Sequence, residues 1–213
     1  MNGQNQGLDT LKDIKQMMER SSRFISLSGL SGISAGICAL VGAWFASGVL
    51  KEHDTVNFHE LIPGHRISVR EFIDNELFSI ALFTFIAALI AAFTFTYIRS
   101  KKENIPIWGT TSKRLLWNVA MPMIVGGIFL IRMIQLGYFG LIAPGCLIFY
   151  GLALVNASKY TLGEVKWLGY GQILLGIINC WYPGEGIYFW AVGFGVLHII
   201  YGTMMWWKYE RAS

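Results

Sequence analysis

The stretch WLGYGQILLGIINCWY, residues Trp167–Tyr182, decides the fold together with the apolar run Ile187–Trp207 that follows it. A short turn, Pro183-Gly-Glu-Gly186, separates the two runs. In each run, small and polar residues recur at helical spacing on one side. Small-residue faces of this kind let helices pack closely within lipid. The pair therefore predicts a transmembrane helical hairpin.

The small and polar residues of the hairpin form two stripes. The stripe of the first run consists of Gly169, Gln172, Gly176 and Asn179. The stripe of the second run consists of Ala191, Gly195, His198 and Gly202. His198 falls near the middle of a ~30 Å hydrocarbon core, where an ionisable side chain should face protein and find a partner. Three roles are open for it: a hydrogen bond to Gln172 or Asn179, contact with a ligand or proton, or ligation of a metal or haem.

The composition of the chain is that of a membrane protein. Of its 213 residues, 54% are apolar and 14% are charged, whereas soluble domains carry about 25% charged residues. The length suits one compact bundle and no second soluble domain. The net charge is +4. The basic residues are concentrated in the links on one side of the membrane, as the positive-inside rule requires, so no nucleic-acid partner is predicted.

Six apolar runs predict an all-α, polytopic six-helix bundle in residues 24–207. These runs are Phe24–Leu50, Leu77–Ile98, Leu115–Gln135, Tyr138–Val155, Trp167–Tyr182 and Ile187–Trp207. Residues 1–23 form a cytoplasmic amphipathic segment that lies on the membrane surface or docks on a partner. Residues 51–76 form an outer loop, and residues 208–213 a cytoplasmic tail. Thirteen of the 17 lysines and arginines fall on the side of both termini, which predicts cytoplasmic termini.

Two further groups of residues are candidate sites. Arg132 and Glu185 are both expected near the outer surface, where Arg132 snorkels outward, pairs with Glu185 or binds an anionic head group. His53, His59 and His65 occur six residues apart in the outer loop and are candidates for a divalent metal. That spacing matches no known zinc pattern, and no cofactor is predicted.

No phosphate-cradling loop, nucleophile elbow or paired intramembrane carboxylates occur in the sequence. Whether the protein is an enzyme stays open, with the sequence leaning against it. Three functions are expected: binding or transport of a small molecule or lipid along the seam of the last two helices, engagement of a cytosolic partner, or a membrane enzyme or metal site using His198 or the loop histidines. Small-residue faces also favour a homodimer.

Two segments resemble a group of small bacterial six-helix inner-membrane proteins without an established activity. They are residues 17–32, MMERSSRFISLSGLSG, and residues 163–176, GEVKWLGYGQILLG. The resemblance implies a multi-pass protein of the inner membrane. It carries over no catalytic or binding residue.

Overall fold

The computed structural model describes residues 28–54, 73–103 and 107–211, apart from the side chains of residues 52–54. Within these ranges the protein is all-helical, as predicted, and contains six main helices. The first three are α1 (Gly29–Asp54), α2 (Glu76–Glu103) and α3 (Thr110–Gln135). A 3₁₀ turn, Phe139–Leu141, precedes α4 (Ile142–Ala157), and α5 (Val165–Asn179) follows. After a second 3₁₀ turn, Pro183–Glu185, α6 runs through Gly186–Trp190, a π-helical segment Ala191–Leu197 and His198–Tyr209.

Five of the helices are long and apolar enough to cross a membrane. They are α1, α2, α3, and α4 and α6 together with their leading turns, each of 19 to 28 residues. The remaining helix, α5, has 15 residues and is therefore ~22 Å long, shorter than a ~30 Å hydrocarbon core. Lengths and composition thus support a membrane-embedded, polytopic protein with five candidate spans.

The helices contact one another in a definite order. Helix α2 packs on α1, α1 packs on α6, and α4 packs on α6, α5 and α3. Helices α2 and α3 therefore lie at the two ends of this series of contacts. Their buried residues are few: Arg99 and Ser100 in α2, and Gly126 and Ile134 in α3. Their exposed surfaces are rich in phenylalanine, isoleucine and leucine, which suits contact with lipid.

A seam of glycines joins α1 to α6. A Cβ atom added to Gly202 would lie 2.6 Å from both the carbonyl oxygen of Gly29 and the backbone nitrogen of Ile33. A Cβ atom on Gly29 would lie 2.5 Å from the carbonyl oxygen of Gly202. Only glycine fits at such a contact between two backbones.

One end of the structure gathers three helix termini around Glu210. Its carboxylate accepts hydrogen bonds from the Ser28 hydroxyl at 3.1 Å, from the backbone N–H of Gly29, and from Arg99 Nη1 at 3.0 Å. A carboxylate at the amino terminus of α1 is favoured by the free N–H groups and the helix dipole there. Close by, Lys208 pairs with Glu164. We call this end the Glu164 face, and both ends of the described chain lie on it.

The opposite end is marked by the contact between the two 3₁₀ turns. A Cβ atom on Gly140 would lie 2.7 Å from Cβ of Pro183. We call this end the Pro183 face. Helix α5 starts directly after Glu164 and ends four residues before Pro183, so it runs from one face to the other. Helix α5 is short because the residues on either side of it, 158–164 and 180–182, form turns that continue the path of the chain.

Candidate functional site: the polar seam between α5 and α6

The small and polar stripe of α5 is buried as predicted. Gly169, Gln172, Gly176 and Asn179 are all buried. The two glycines pack against α4, where a Cβ atom on Gly169 would lie 2.8 Å from the carbonyl oxygen of Gly151. The amides turn toward α6. The glycines of the stripe therefore allow close packing on α4, and its amides are placed against α6.

The predicted stripe of α6 divides between two neighbours. Gly202 contacts the backbone of α1 and Gly195 contacts Leu40 of that helix, whereas His198 faces Gly193 and Gln172. The π-helical segment Ala191–Leu197 brings Gly193 in line with His198, because residues five apart are in line along a π-helix. The α6 stripe that was expected to form one face contacts different neighbours: Gly195 and Gly202 contact α1, whereas His198 contacts α4 and α5. Gly193, outside the predicted stripe, takes the position beside the amide.

His198 lies within hydrogen-bonding distance of side chains and backbone from three helices. Its Nε2 is 2.8 Å from the Tyr150 hydroxyl of α4, and its Nδ1 is 3.1 Å from the carbonyl oxygen of Gly193. A carbonyl accepts only, so Nδ1 carries the proton and donates it to Gly193, and Nε2 accepts from Tyr150. This arrangement uses both ring nitrogens of a neutral imidazole. The neutral form is the one expected within a hydrocarbon core.

Aromatic rings enclose the imidazole. The ring centroids of Tyr150 and His198 are 5.5 Å apart, and those of Phe194 and His198 are 6.1 Å apart with nearly parallel planes. Phe194 also contacts Tyr150 at 5.1 Å between centroids. Only 6% of His198 is exposed. The ring is thus held by its neighbours in the orientation that its hydrogen bonds require.

Two buried amides on α5 each hold their nitrogen against a backbone carbonyl. Gln172 Nε2 donates to the carbonyl oxygen of Gly193 at 2.7 Å, and Asn179 Nδ2 donates to that of Tyr182 at 2.9 Å. Because a carbonyl oxygen cannot donate, these contacts fix which amide atom is nitrogen and which is oxygen. The free atoms of both side chains are therefore acceptors.

These two amide oxygens, Gln172 Oε1 and Asn179 Oδ1, are buried and have no hydrogen-bond partner among the described residues. Both side chains are 0% exposed. Both oxygens lie beside a glycine of α6. A Cβ atom added to Gly193 would be 2.7 Å from Gln172 Oε1, and a Cβ atom added to Gly186 would be 4.0 Å from Asn179 Oδ1. Each pair is two helical turns from the other, so the same arrangement occurs twice along the seam. A buried acceptor without a donor costs ~1–3 kcal/mol.

Other predicted site residues lie apart from the seam. Arg132 donates to Gln135 at 3.1 Å on its own helix, and the exposed Glu185 has no ion pair within the described part of the chain. Of the three alternatives for Arg132, pairing with Glu185 is absent among the described residues, and the guanidinium bonds Gln135 one turn along α3. His59 and His65 lie outside the described residues, as does the side chain of His53, and so does the segment of residues 1–23. The ranges that are described contain no group of three or more metal-ligating side chains.

Tyr150 and Gly193 are the members of the site that sequence reasoning missed. Tyr150 belongs to an apolar run with several aromatic residues, and nothing in its local pattern sets it apart from Phe149. Gly193 becomes part of the site only because the helix is π-helical there. The one sequence signal for Gly193 was its position five residues before His198.

Comparison with known proteins does not assign the chain to a family. Searches against protein-family models, curated proteins and solved structures return no match for the chain.

Proposed function

We propose that this is a six-span membrane protein that binds a small molecule or lipid between α5 and α6 through groups that donate hydrogen bonds. The observation that carries the proposal is the pair of unpartnered amide oxygens on Gln172 and Asn179. Because both are acceptors, the complementary ligand offers hydrogen-bond donors. A polar molecule or a lipid head group with a protonated amine has that chemistry.

The proposal places α5 across the membrane as the sixth span. Support comes from its path between the Glu164 and Pro183 faces and from the burial of its polar side. Nine of the eleven lysines and arginines of the described residues lie toward the Glu164 face, and the exceptions are Lys51 and Arg132. The excess of basic residues favours a cytoplasmic Glu164 face in a bacterial inner membrane.

Matched probes test this function directly. Ethanolamine and choline differ in whether their cationic nitrogen carries hydrogens, so we would compare free ethanolamine with choline, and phosphatidylethanolamine with phosphatidylcholine. Native mass spectrometry of the full chain measures retention of each probe. We expect several-fold preference for one or both ethanolamine compounds, and which of them is retained separates a soluble ligand from a lipid.

Variants then locate the preference. Gln172→Met and Asn179→Leu remove the amides with little change in volume and should abolish the preference. Asn118→Leu is the control, since among the described residues the Asn118 amide bonds its own helix, at Arg114. Equal retention of ethanolamine and choline compounds, or a preference that survives both seam variants, would overturn the proposal.

A further inference from the structure

Polar side chains continue along α6 from His198 to the Glu164 face. Tyr201, Lys208 and Tyr209 follow His198 at offsets of three, ten and eleven, which places all four on one side of a helix. At the far end, the Tyr209 hydroxyl donates to Glu164 at 2.7 Å and Lys208 pairs with the same carboxylate. At the near end, the Tyr150 hydroxyl donates to His198. The two ends are ~15 Å apart along the helix.

Tyr201 lies between these two hydrogen-bonded groups. Its hydroxyl is buried and has no hydrogen-bond partner within the described ranges. Tyr201 packs together with Tyr209 against the cluster of Leu162, Val165 and Met205, as does Leu154, one turn after Tyr150 on α4. A hydroxyl both donates and accepts, so it can link neighbours on both sides. Its position makes it the intermediate group in a polar path.

A cavity opens at the Glu164 face beside this path. It has a volume of about 330 Å³, and Glu164, Lys166, Gly163 and Tyr209 are among its lining residues. Since a water molecule occupies ~30 Å³ of liquid volume, this space accommodates several. Water in it would contact Glu164 and Tyr209 directly. The cavity is thus the mouth of the path at the membrane surface.

We propose that Tyr201 carries a water-mediated hydrogen-bonded route from the Glu164 face to His198. The ligand of this site is water, and the route exposes the buried imidazole to solvent protons from the Glu164 face. Buried water typically bonds polar groups that protein leaves unsatisfied, and Tyr201 is such a group. The route requires no ligand between α5 and α6, so it stands or falls separately from the proposed function.

Water-edited solid-state NMR tests the route on the full chain, labelled with ¹⁵N-histidine, in phospholipid bilayers. The His198 ring signals are identified as those missing from His198→Gln. In the wild type, we expect magnetisation from water protons to build up on these ring nitrogens. Tyr201→Phe keeps the ring but removes the hydroxyl, and it should slow the build-up several-fold. Tyr188→Phe, a change at an exposed position near the Pro183 face, should leave it unchanged.

Tyr209→Phe supplies a second variant, because this half-buried residue lines the mouth and its hydroxyl donates to Glu164. We expect it to slow the build-up as well, and it decides the question if Tyr201→Phe does not fold. No transfer from water to His198 in the wild type would overturn the route. So would an unchanged build-up in both tyrosine variants.

Discussion

The two sides of α6 place glycines against different partners. Toward α1, Gly202 meets the backbone atoms of Gly29 and Ile33. Toward α5, Gly193 meets the side-chain amide of Gln172. The same residue type thus brings backbones together on one side and makes room for polar groups on the other. A glycine stripe read from sequence indicates close contact, but the contacting group determines whether the contact is packing or a site.

This division continues at the Glu164 face. Glu210 bonds to Ser28 and Arg99 on the α1 side of α6, whereas Lys208 and Tyr209 bond to Glu164 on the α5 side. Within the part of the chain that the structure describes, the α1 side is bonded at its end and packed along its length. The α5 side carries polar contacts along its length, from Glu164 to His198 and Gln172. We expect the first to respond to added volume and the second to loss of polar groups.

The largest effect is expected from Gly202→Ala. The added methyl group meets the backbone of α1 at Gly29 and Ile33, which cannot move aside, so the helices must separate at a cost of ~3 kcal/mol. Gly193→Ala should cost less, ~1 kcal/mol, because it meets the ends of the Leu147 and Gln172 side chains. Thermal unfolding in detergent measures both variants. A larger loss for Gly193→Ala than for Gly202→Ala would reverse the comparison.

His198→Ala should have the next largest effect. It removes ring contacts with Tyr150 and Phe194 and leaves the Tyr150 hydroxyl without its acceptor, which we expect to cost ~2 kcal/mol. His53→Ala, His59→Ala and His65→Ala serve as comparisons in the same unfolding assay. We expect each to change stability by less than ~0.5 kcal/mol. Equal tolerance at all four positions would contradict a structural role for the seam.

The smallest expected effect is a loss of thermal stability at low pH. Burial alone would raise the pKa of the Glu164 carboxyl, but hydrogen bonds from Lys208 and Tyr209 together outweigh it and hold the pKa below its ordinary value of 4.5. A carboxyl with a lowered folded pKa contributes stability that is present above the unfolded pKa and is lost as the pH falls through the folded pKa. The wild type should therefore lose thermal stability as the pH is lowered below about 4.5.

Glu164→Gln isolates this contribution, since it keeps the shape of the side chain without the charge. We expect its unfolding midpoint to fall less over the same acid range. Glu185→Gln is the matched control, because Glu185 is exposed. If the Glu164 and Glu185 variants keep the same acid dependence as the wild type, the pairing on the α5 side contributes nothing to stability.

Much of the fold follows from the sequence because helices in lipid must be long, apolar and internally hydrogen-bonded. The all-helical class and the burial of the stripe that contains Gln172 and Asn179 are both confirmed. The limits of α5 differ from those expected, since residues 180–182 leave the helix in a turn although they are apolar. Hydropathy does not distinguish the end of a helix from the end of an apolar run.

The candidate site was predictable only in part. Periodicity assumed 3.6 residues per turn, and the π-helical segment Ala191–Leu197 breaks that assumption just before His198. As a result, Gly193 joins the site and Gly195 leaves it. Tyr150 could not be predicted for a different reason: its contact with His198 joins residues 48 apart in the chain. Local pattern carries no information on such contacts.

Labelling of single cysteines on both sides of α5 tests the central claim, that the polar seam lies inside a six-span bundle, most directly. In a variant with Cys38, Cys146 and Cys180 replaced by alanine, Gly163→Cys and Gly184→Cys each add a side chain where open space surrounds the glycine. A membrane-impermeant maleimide applied to intact cells should label Gly184→Cys, and should label Gly163→Cys only after the membrane is opened. Labelling of both positions from the same side would contradict α5 as a span and with it the seam.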